Sequence, residues 1–505
     1  MNGSRGIQHI FVLMLENRSF DHLLGFSKIT GNDAVTRKPT TADGLTGSES
    51  NTYGNTTYKV AAAADSRMPA DPPHDFLNVV QQLCGDSRKY IPGMPYPPVD
   101  NSGFVAAYAG VDSKSGANPG EIMRCFGPDQ LPIVNALARE FVLCDNWRCS
   151  MPGPTWPNRM FLHAASSSGL DHTPSNLELV EWEATGYGFK NGTIFDRLNA
   201  KGITRRLYAG DHFPMVAALK GISVFDIRMY DDHFAKDLQS ATYPFTYVFI
   251  EPSYDVLNKY RASTSQHPLA NIHRGEHLIK STYESIRKSR YWESSLLIIT
   301  WDEHGGFYDH TRPSAKAVPP GDTVPGSKYN IHKYTFQDYG PRVSAIVVSP
   351  LIDKNLIDHR LYDHSSVPKT LEEMFGLAAM TERDKAAASL ASLITLSKPR
   401  TDTPLTLPKV AGPSLLGIVE EKAGELGEAM AARFEDTVND GTLPGVIHSA
   451  LRQDLEISAP EAREPILARA RSIHTRGEAM KYLGEVRQKI DVARAADDKK
   501  KGQSA

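Results

Sequence analysis

The chain reads as an α/β protein, a mainly parallel sheet sandwiched by helices with a helical appendage toward its C-terminal end. Short apolar runs recur at residues 10–15 (IFVLML), 141–144 (FVLC), 247–250 (YVFI), 296–300 (LLIIT) and 344–349 (SAIVVS). Runs apolar on both faces suit strands covered by helices on both sides of a parallel sheet. Helix-period segments lie between them. At 505 residues the chain exceeds what one core ordinarily fills, so a large domain with an addition is expected.

The first strand drives into Glu16 and Asn17, and the run at 296–300 ends in Asp302 and Glu303, followed by HGGFYDH. Residues 27–74, rich in Thr, Gly, Asn, Asp and Ser, read as a long surface excursion and a substrate-side cover. Residues 275–290 place Leu278, Ile279, Tyr283 and Ile286 on one helical face. Residues 365–376 carry a Ser cap, a Pro in the first turn and a Gly stop. The Pro-dense stretch 401–413 reads as a linker, 414–490 as a helical C-terminal region and 491–505 as a disordered tail.

Composition excludes some classes. A hydrophobic share of 40% with 23% charged residues is that of an ordinary folded protein, and a net charge of −3 without a long basic block argues against a nucleic-acid partner. No apolar run reaches the roughly 18–20 residues of a spanning helix, which leaves at most peripheral membrane contact. Residues 1–8 lack the apolar segment of a secretion signal, so the chain as written is expected to be cytoplasmic; export by a non-Sec route, or a mature form with its signal removed, is the alternative. Four cysteines without CxxC spacing are expected to be free thiols, or to form a single disulfide.

The chemistry concentrates where strands end, the edge at which open α/β sheets bind ligands. Glu16, Asn17, Asp302 and Glu303 supply the oxygen donors a hard divalent cation takes; Ca²⁺, Mg²⁺ and Mn²⁺ suit such a set and Zn²⁺ less readily. The alternative for Asn17 is a helix cap. In MPGPTWPNRMF, at 151–161, three prolines stiffen the backbone around Thr155, a hydroxyl suited to act as a nucleophile beside a metal. Asn158 and Arg159 follow with an amide and a guanidinium of the kind that holds phosphate oxygens; the plainer reading is a Pro-rich turn capped by Asn158. His74, His212, His267, His310 and His364 sit in loops beside Asp or Pro, where imidazole serves as a proton donor or an oxyanion partner. Tyr53, Tyr58, Tyr96, Trp182 and Tyr187 are candidates for an aromatic interfacial rim.

ENRSFDHLLG, GPTWPNR, FIEPSY, QHP, DEHGGFYDH and GPRVSAIVVSP, in that order, resemble the signature of the phosphoesterase family that contains bacterial and plant phosphatidylcholine-hydrolysing phospholipases C and the AcpA-type acid phosphatases. The resemblance spans residues 7 to about 378. It implies an alkaline phosphatase-like fold, a catalytic domain over 1–400, and a metal-dependent phosphoric ester hydrolase acting through a phosphoryl-enzyme intermediate on Thr155. It also implies a divalent metal held by Glu16, Asn17, Thr155, Asp302 and Glu303, with His74, His267 and His212 around the phosphate. The expected partner is a phosphate ester or phospholipid. Alternatives are a phosphomonoesterase of the same fold, or a catalytically idle binding protein whose helical tail engages a partner or a second copy of the chain.

Overall fold

A computed structural model describes residues 6–111, 117–185, 188–324, 326–412 and 434–503. Its centre is an eleven-stranded sheet. In chain order the strands are β1 (His9–Leu15), β2 (Thr30–Asp33), β3 (Pro39–Thr41), β4 (Val142–Arg148), β5 (Arg205–Ala209), β6 (Ile227–Met229), β7 (Tyr247–Glu251), β8 (Ser295–Trp301), β9 (Arg342–Val348), β10 (Leu356–Asp358) and β11 (Tyr362–Asp363). They lie in the order β6-β5-β7-β1-β8-β9-β4-β10-β2-β3, with β11 pairing β4. Pairings from β6 through β8 are parallel. β9 runs against both its neighbours, and β3 runs against β2 at the edge.

Every residue of β1, β8 and β9 is buried, as strands covered on both faces must be. The helices that matter for the site are α1 (Phe20–Leu24), α2 (Phe76–Cys84), α3 (Pro132–Glu140), α4 (Thr155–Ala164), α5 (Ile272–Lys288) and α6 (Ser366–Phe375). The face expected of α5 is the buried one: Leu278, Ile279, Tyr283 and Ile286. Helix α6 starts after Ser365 and stops at Gly376, which takes φ +62°.

Three expectations change. Residues 27–74 are not one irregular cover: they supply β2 and β3, a hairpin of Ser50–Tyr53 with Thr56–Lys59, and Ala61–Ala62 paired to Arg124–Cys125. These strands are short and, apart from Ala61–Ala62, polar, so no apolar run announced them. The expected linker is fastened along α5, whose Tyr283 hydroxyl, Lys280 and Arg287 donate to the carbonyls of Pro404, Leu407 and Thr403.

The C-terminal region forms α7 (Leu443–Ile457), α8 (Arg463–Arg471) and α9 (Arg476–Gln503), so the tail expected to be disordered from 491 continues a helix to Gln503. Of the helical region expected over 414–490, residues 414–433 lie outside the described residues. α7 and α9 pack on the main body in a second apolar core that joins Trp156, Met160, Tyr254 and Tyr260 to Leu443, Val446, Tyr482 and Val486. All four cysteines are buried and free. No helix among the described residues is long and apolar enough to cross a membrane.

Candidate active site

β1 and β8 are parallel neighbours in register from His9–Ser295 to Leu15–Trp301, so Glu16–Asn17 and Asp302–Glu303 emerge side by side. The Asn17 backbone N–H donates to Asp302 Oδ1 at 2.9 Å, and the Arg18 N–H to the Glu303 carbonyl at 2.9 Å. This approach needs two special backbones. Asn17 takes φ +56°, strain that the surrounding bonds hold in place. Gly305 takes φ +64°, and a Cβ there would stand 2.1 Å from the Asn17 carbonyl oxygen. Asn17 does not cap α1. Ser19 does, accepting from the His22 N–H, which leaves the Asn17 amide for the site.

Thr155 is the first residue of α4, after Pro154. The first-turn N–H groups of a helix lack intrahelical partners and carry the positive end of its dipole, so the Thr155 hydroxyl stands where an anion is favoured. Its Oγ1 accepts from Asn17 Nδ2 at 3.3 Å. The same Nδ2 reaches Glu303 Oε1 and lies 3.2 Å from His74 Nε2.

Asn158 and Arg159 turn their polar groups to the protein itself. The Asn158 amide donates to the carbonyls of Met151, Gly153 and Pro154 and accepts from the Met151 N–H, clamping the proline loop. Arg159 is buried, donating through Nε to Asp302 Oδ2 at 2.9 Å, through Nη1 to Glu251 and through Nη2 to the Leu15 carbonyl. Its fork is spent orienting carboxylates. His212 also falls away from the group: it sits 3.7 Å from Asp491 of α9, beside Phe213 and Arg487. His310 and His364 serve structure, His310 on Asp21 and His364 between the Trp147 indole and the Asp302 carbonyl. Of the expected aromatic rim, Trp182 is buried, Tyr96 is half-buried, Tyr53 is exposed and Tyr187 lies outside the described residues.

His74 lies beside the Asn17 amide, and His267 faces Asp71. His74 Nδ1 donates to the Pro72 carbonyl at 2.7 Å and its Nε2 faces Asn17, with Glu303 at 3.9 Å. His267 Nδ1 accepts from the Leu269 N–H, so Nε2 carries the proton and points toward Asp71 Oδ2 at 3.5 Å. Asp71 lies between the two histidines, raising the pKa of His74 and facing His267 Nε2. Burial, then the nearby His74 and Arg18, hold the His267 imidazole well below its usual range, hence neutral.

Arg18, Glu251, Tyr254 and Asp71 are further residues of the site that the sequence reading did not single out. Arg18 donates to the Gln266 and His267 carbonyls and fixes the QHP turn. Glu251, at the end of β7, accepts from Arg159, from the Tyr254 hydroxyl and from the Val216 N–H. It carries the signal that marked Glu16 and Asp302, an acid closing an apolar run.

Whether these residues suit a cation is tested by their satisfaction. Among the described residues, Asn17 Oδ1 and both Glu16 carboxylate oxygens are buried with no hydrogen bond of ordinary geometry, although the Ser265 hydroxyl lies near Glu16. Three acceptors, Thr155 Oγ1, Glu303 Oε1 and His74 Nε2, converge on an amide that has two hydrogens to give. Burial pushes the Glu16 carboxyl well above the ordinary carboxylate range, against the pull of Arg159 and with the push of Asp302. Surplus oxygens in a dry, acid-rich pocket are a donor set for a hard cation, and the residues fit one.

A second cluster, Asp21, Asp309 and His310, brings ligand atoms within 4.8 Å of one another. There the Arg342 guanidinium already stands between the carboxylates, at 3.0 Å from Asp21 Oδ1 and 3.0 Å from Asp309 Oδ1.

The sequence matches the profile of the Phosphoesterase family over residues 7–378. This chain belongs to that family. Among similar curated proteins, non-specific phospholipase C6 of Arabidopsis thaliana is 36% identical over 80% of this chain and 75% of its own length. Phospholipase C B of Mycobacterium tuberculosis is 25% identical over 64% of each chain. Among solved structures, a protein in the alkaline phosphatase superfamily from Vibrio parahaemolyticus aligns over 52% of this chain and 65% of its own, at 16% identity and a TM-score of 0.31. As a member of the phosphoesterase family with phospholipase C relatives, the chain is an enzyme that hydrolyses phosphoric esters.

Proposed function

We propose that this phosphoric ester hydrolase is of phospholipase C type and works through a phosphoryl-enzyme intermediate on Thr155. The observation that carries the proposal is the Thr155 hydroxyl at the head of α4, bonded to an amide that Glu303 Oε1 and His74 Nε2 also meet. A divalent cation held by Glu16, Asn17, Asp302 and Glu303 together with Thr155 would supply Lewis acidity toward a phosphoryl oxygen and lower the hydroxyl's pKa.

The chain's own residues do the rest. The α4 N-terminus binds phosphoryl oxygens. Arg159 orients Asp302, and Arg18 holds the turn that presents His267. The Thr155 Oγ–phosphorus bond forms as the phosphorus–oxygen bond to the alcohol breaks; the hydroxyl's proton leaves to solvent and the protonated His74 gives its proton to the departing oxygen, while His267 Nε2–H donates a hydrogen bond to a phosphoryl oxygen. Water then attacks phosphorus, the P–Oγ bond breaks, one water proton restores the Thr155 hydroxyl and His74 is reprotonated from solvent.

A lipid leaving group is supported by the relatives' names and by the surface beyond His74. Leu77, Ile91, Met94 and Ile331 are exposed on the segments that carry Phe76, Tyr90 and His332. Those three rings pack on one another, Phe76 4.9 Å from each of the other two. An apolar collar next to the site is what a diacylglycerol leaving group requires.

The test is hydrolysis of phosphatidylcholine vesicles and of a soluble phosphomonoester by full-length enzyme, cation-loaded and then chelated, with Thr155→Ala as control. Diacylglycerol release that the mutation abolishes supports the proposal. Turnover of the monoester alone makes the enzyme a phosphatase, and activity that survives Thr155→Ala rejects the intermediate.

A further inference from the structure

The C-terminal helices reach the site at one point. His267 lies flat on Tyr260, ring centroids 3.5 Å apart and planes 6° from parallel. Tyr260 is buried, with its backbone at φ +63°. Its hydroxyl meets two groups of the residue that opens α7: Thr442 Oγ1 at 2.9 Å, and the Thr442 N–H, which donates to it at 2.9 Å. The preceding Gly441 takes φ +55°, and a Cβ there would lie 2.4 Å from the Tyr260 oxygen, so only glycine lets the backbone close on that hydroxyl.

The segment is anchored in turn. Arg476 of α9 donates to Asp440 Oδ2 at 2.7 Å and to the Val256 carbonyl at 2.7 Å, tying it to the loop that carries Tyr260. One helical turn on, Gly445 faces the Trp156 ring, where a Cβ would meet Cζ2 at 1.7 Å. Trp156 follows Thr155.

Taken together, the His267 ring has a hydrogen bond at Nδ1, a carboxylate beyond Nε2 and an aromatic plate beneath it, and the plate is pinned by the C-terminal region. We infer that Tyr260 and Thr442 are positioning residues for His267, so that the C-terminal helices set the geometry of the proposed phosphoryl transfer. The inference rests on the reaction proposed above, in which His267 faces the phosphate. Both contacts are short, buried and mutually satisfied, and a displacement of order 1 Å at such a group costs about 100-fold in rate.

The experiment uses full-length protein: Tyr260→Leu, Tyr260→Phe, Thr442→Val and the double variant Tyr260→Phe/Thr442→Val, with Tyr260→Leu also made on His267→Ala. Thermal unfolding is recorded for each. Expected is a fall in kcat of about 10- to 100-fold for Tyr260→Leu with KM little changed, and no further fall when His267 is already alanine. Tyr260→Phe, which removes both bonds, should lose more than Thr442→Val, which keeps the bond from the Thr442 N–H, and the double variant should lose no more than Tyr260→Phe.

Histidine-selective NMR supplies a readout apart from activity. The ring protons of His267, shifted by the Tyr260 face, should move in Thr442→Val and lose that shift in Tyr260→Leu. A Tyr260→Leu loss of the same factor with and without His267 overturns the inference, as do unmoved His267 resonances. If Tyr260→Leu does not fold, Thr442→Val, which exchanges one hydroxyl for a methyl, decides by the same two measurements. An enzyme inactive on every phosphate ester tried rejects the proposed function, and the NMR result still decides the clamp.

Discussion

Two buried acidic clusters stand in this molecule, and the difference between them separates a site from a brace. Around Arg342, the guanidinium spans Asp21 and Asp309, its Nη1 donates to the Asp43 and Asp145 carbonyls, and His310 donates to Asp21. Positive charge is built in. Around Arg159, the guanidinium serves Asp302 and Glu251 but leaves both Glu16 oxygens and Asn17 Oδ1 without a hydrogen bond of ordinary geometry. By ligand type alone the first cluster is the better metal site; by satisfaction the second is. A carboxylate already bonded to a fixed cation has no reason to bind another, whereas an orphaned one in a dry pocket carries a desolvation cost that a cation offsets.

The comparison can be broken most sharply at the second cluster. Thr155→Ala should lower phosphate ester hydrolysis on the order of 10⁴-fold, about 5.4 kcal/mol of transition-state stabilisation, with unfolding nearly unchanged. Steady-state rates and a denaturation curve check both halves. Next comes Arg342→Leu, which strands Asp21 and Asp309 and should cost about 3–5 kcal/mol in stability, measured by urea unfolding. A loss under 1 kcal/mol would mean the brace is not one.

Glu16→Gln makes a smaller and more specific difference. A divalent cation at 100 times its Kd should stabilise the unmutated chain by about 2.7 kcal/mol, a rise in Tm that the variant loses and Asp309→Asn retains. Equal loss in both would place the cation elsewhere.

How much of this could be read from residues follows the same division. β1, β4, β7, β8 and β9 announce themselves as apolar runs, and each lies within a few residues of its expected bounds. β2 (TGND) and β3 (PTT), the last two strands on that side of the sheet, have no apolar signal, because such short strands are held by their neighbours' backbones. Glu16, Asn17, Asp302 and Glu303 lie together because residues that end adjacent parallel strands are placed by the sheet itself, and Thr155 and His74 reach the Asn17 amide from a helix start and a loop. Asn158, Arg159 and His212 show the limit. Their chemistry suits phosphate, but what a side chain faces is set by tertiary packing: the loop's own carbonyls for Asn158, two carboxylates for Arg159, and α9 for His212. The Tyr260–Thr442 contact joins residues 182 apart, and no local pattern predicts it.

The smallest expected effect tests whether the brace is electrostatic. Burial opposes the charge on His310, but hydrogen bonds to Asp21 and Asp43 outweigh it and carry its pKa from 6.5 to about 10. A group raised in the folded state contributes stability that is whole below its unfolded pKa and is lost as pH rises through the folded value. Stability should therefore decline between about pH 6.5 and pH 10 in the unmutated chain, and this share of the decline should vanish in His310→Asn. Because other groups titrate over the same span, the informative quantity is the difference between the two Tm profiles, read from pH 7 to pH 10. A difference that shrinks toward pH 10 confirms the Asp21–His310 pair as part of the built-in positive charge. A flat difference assigns the whole of that charge to Arg342, and the brace then differs from the site by a single guanidinium's placement.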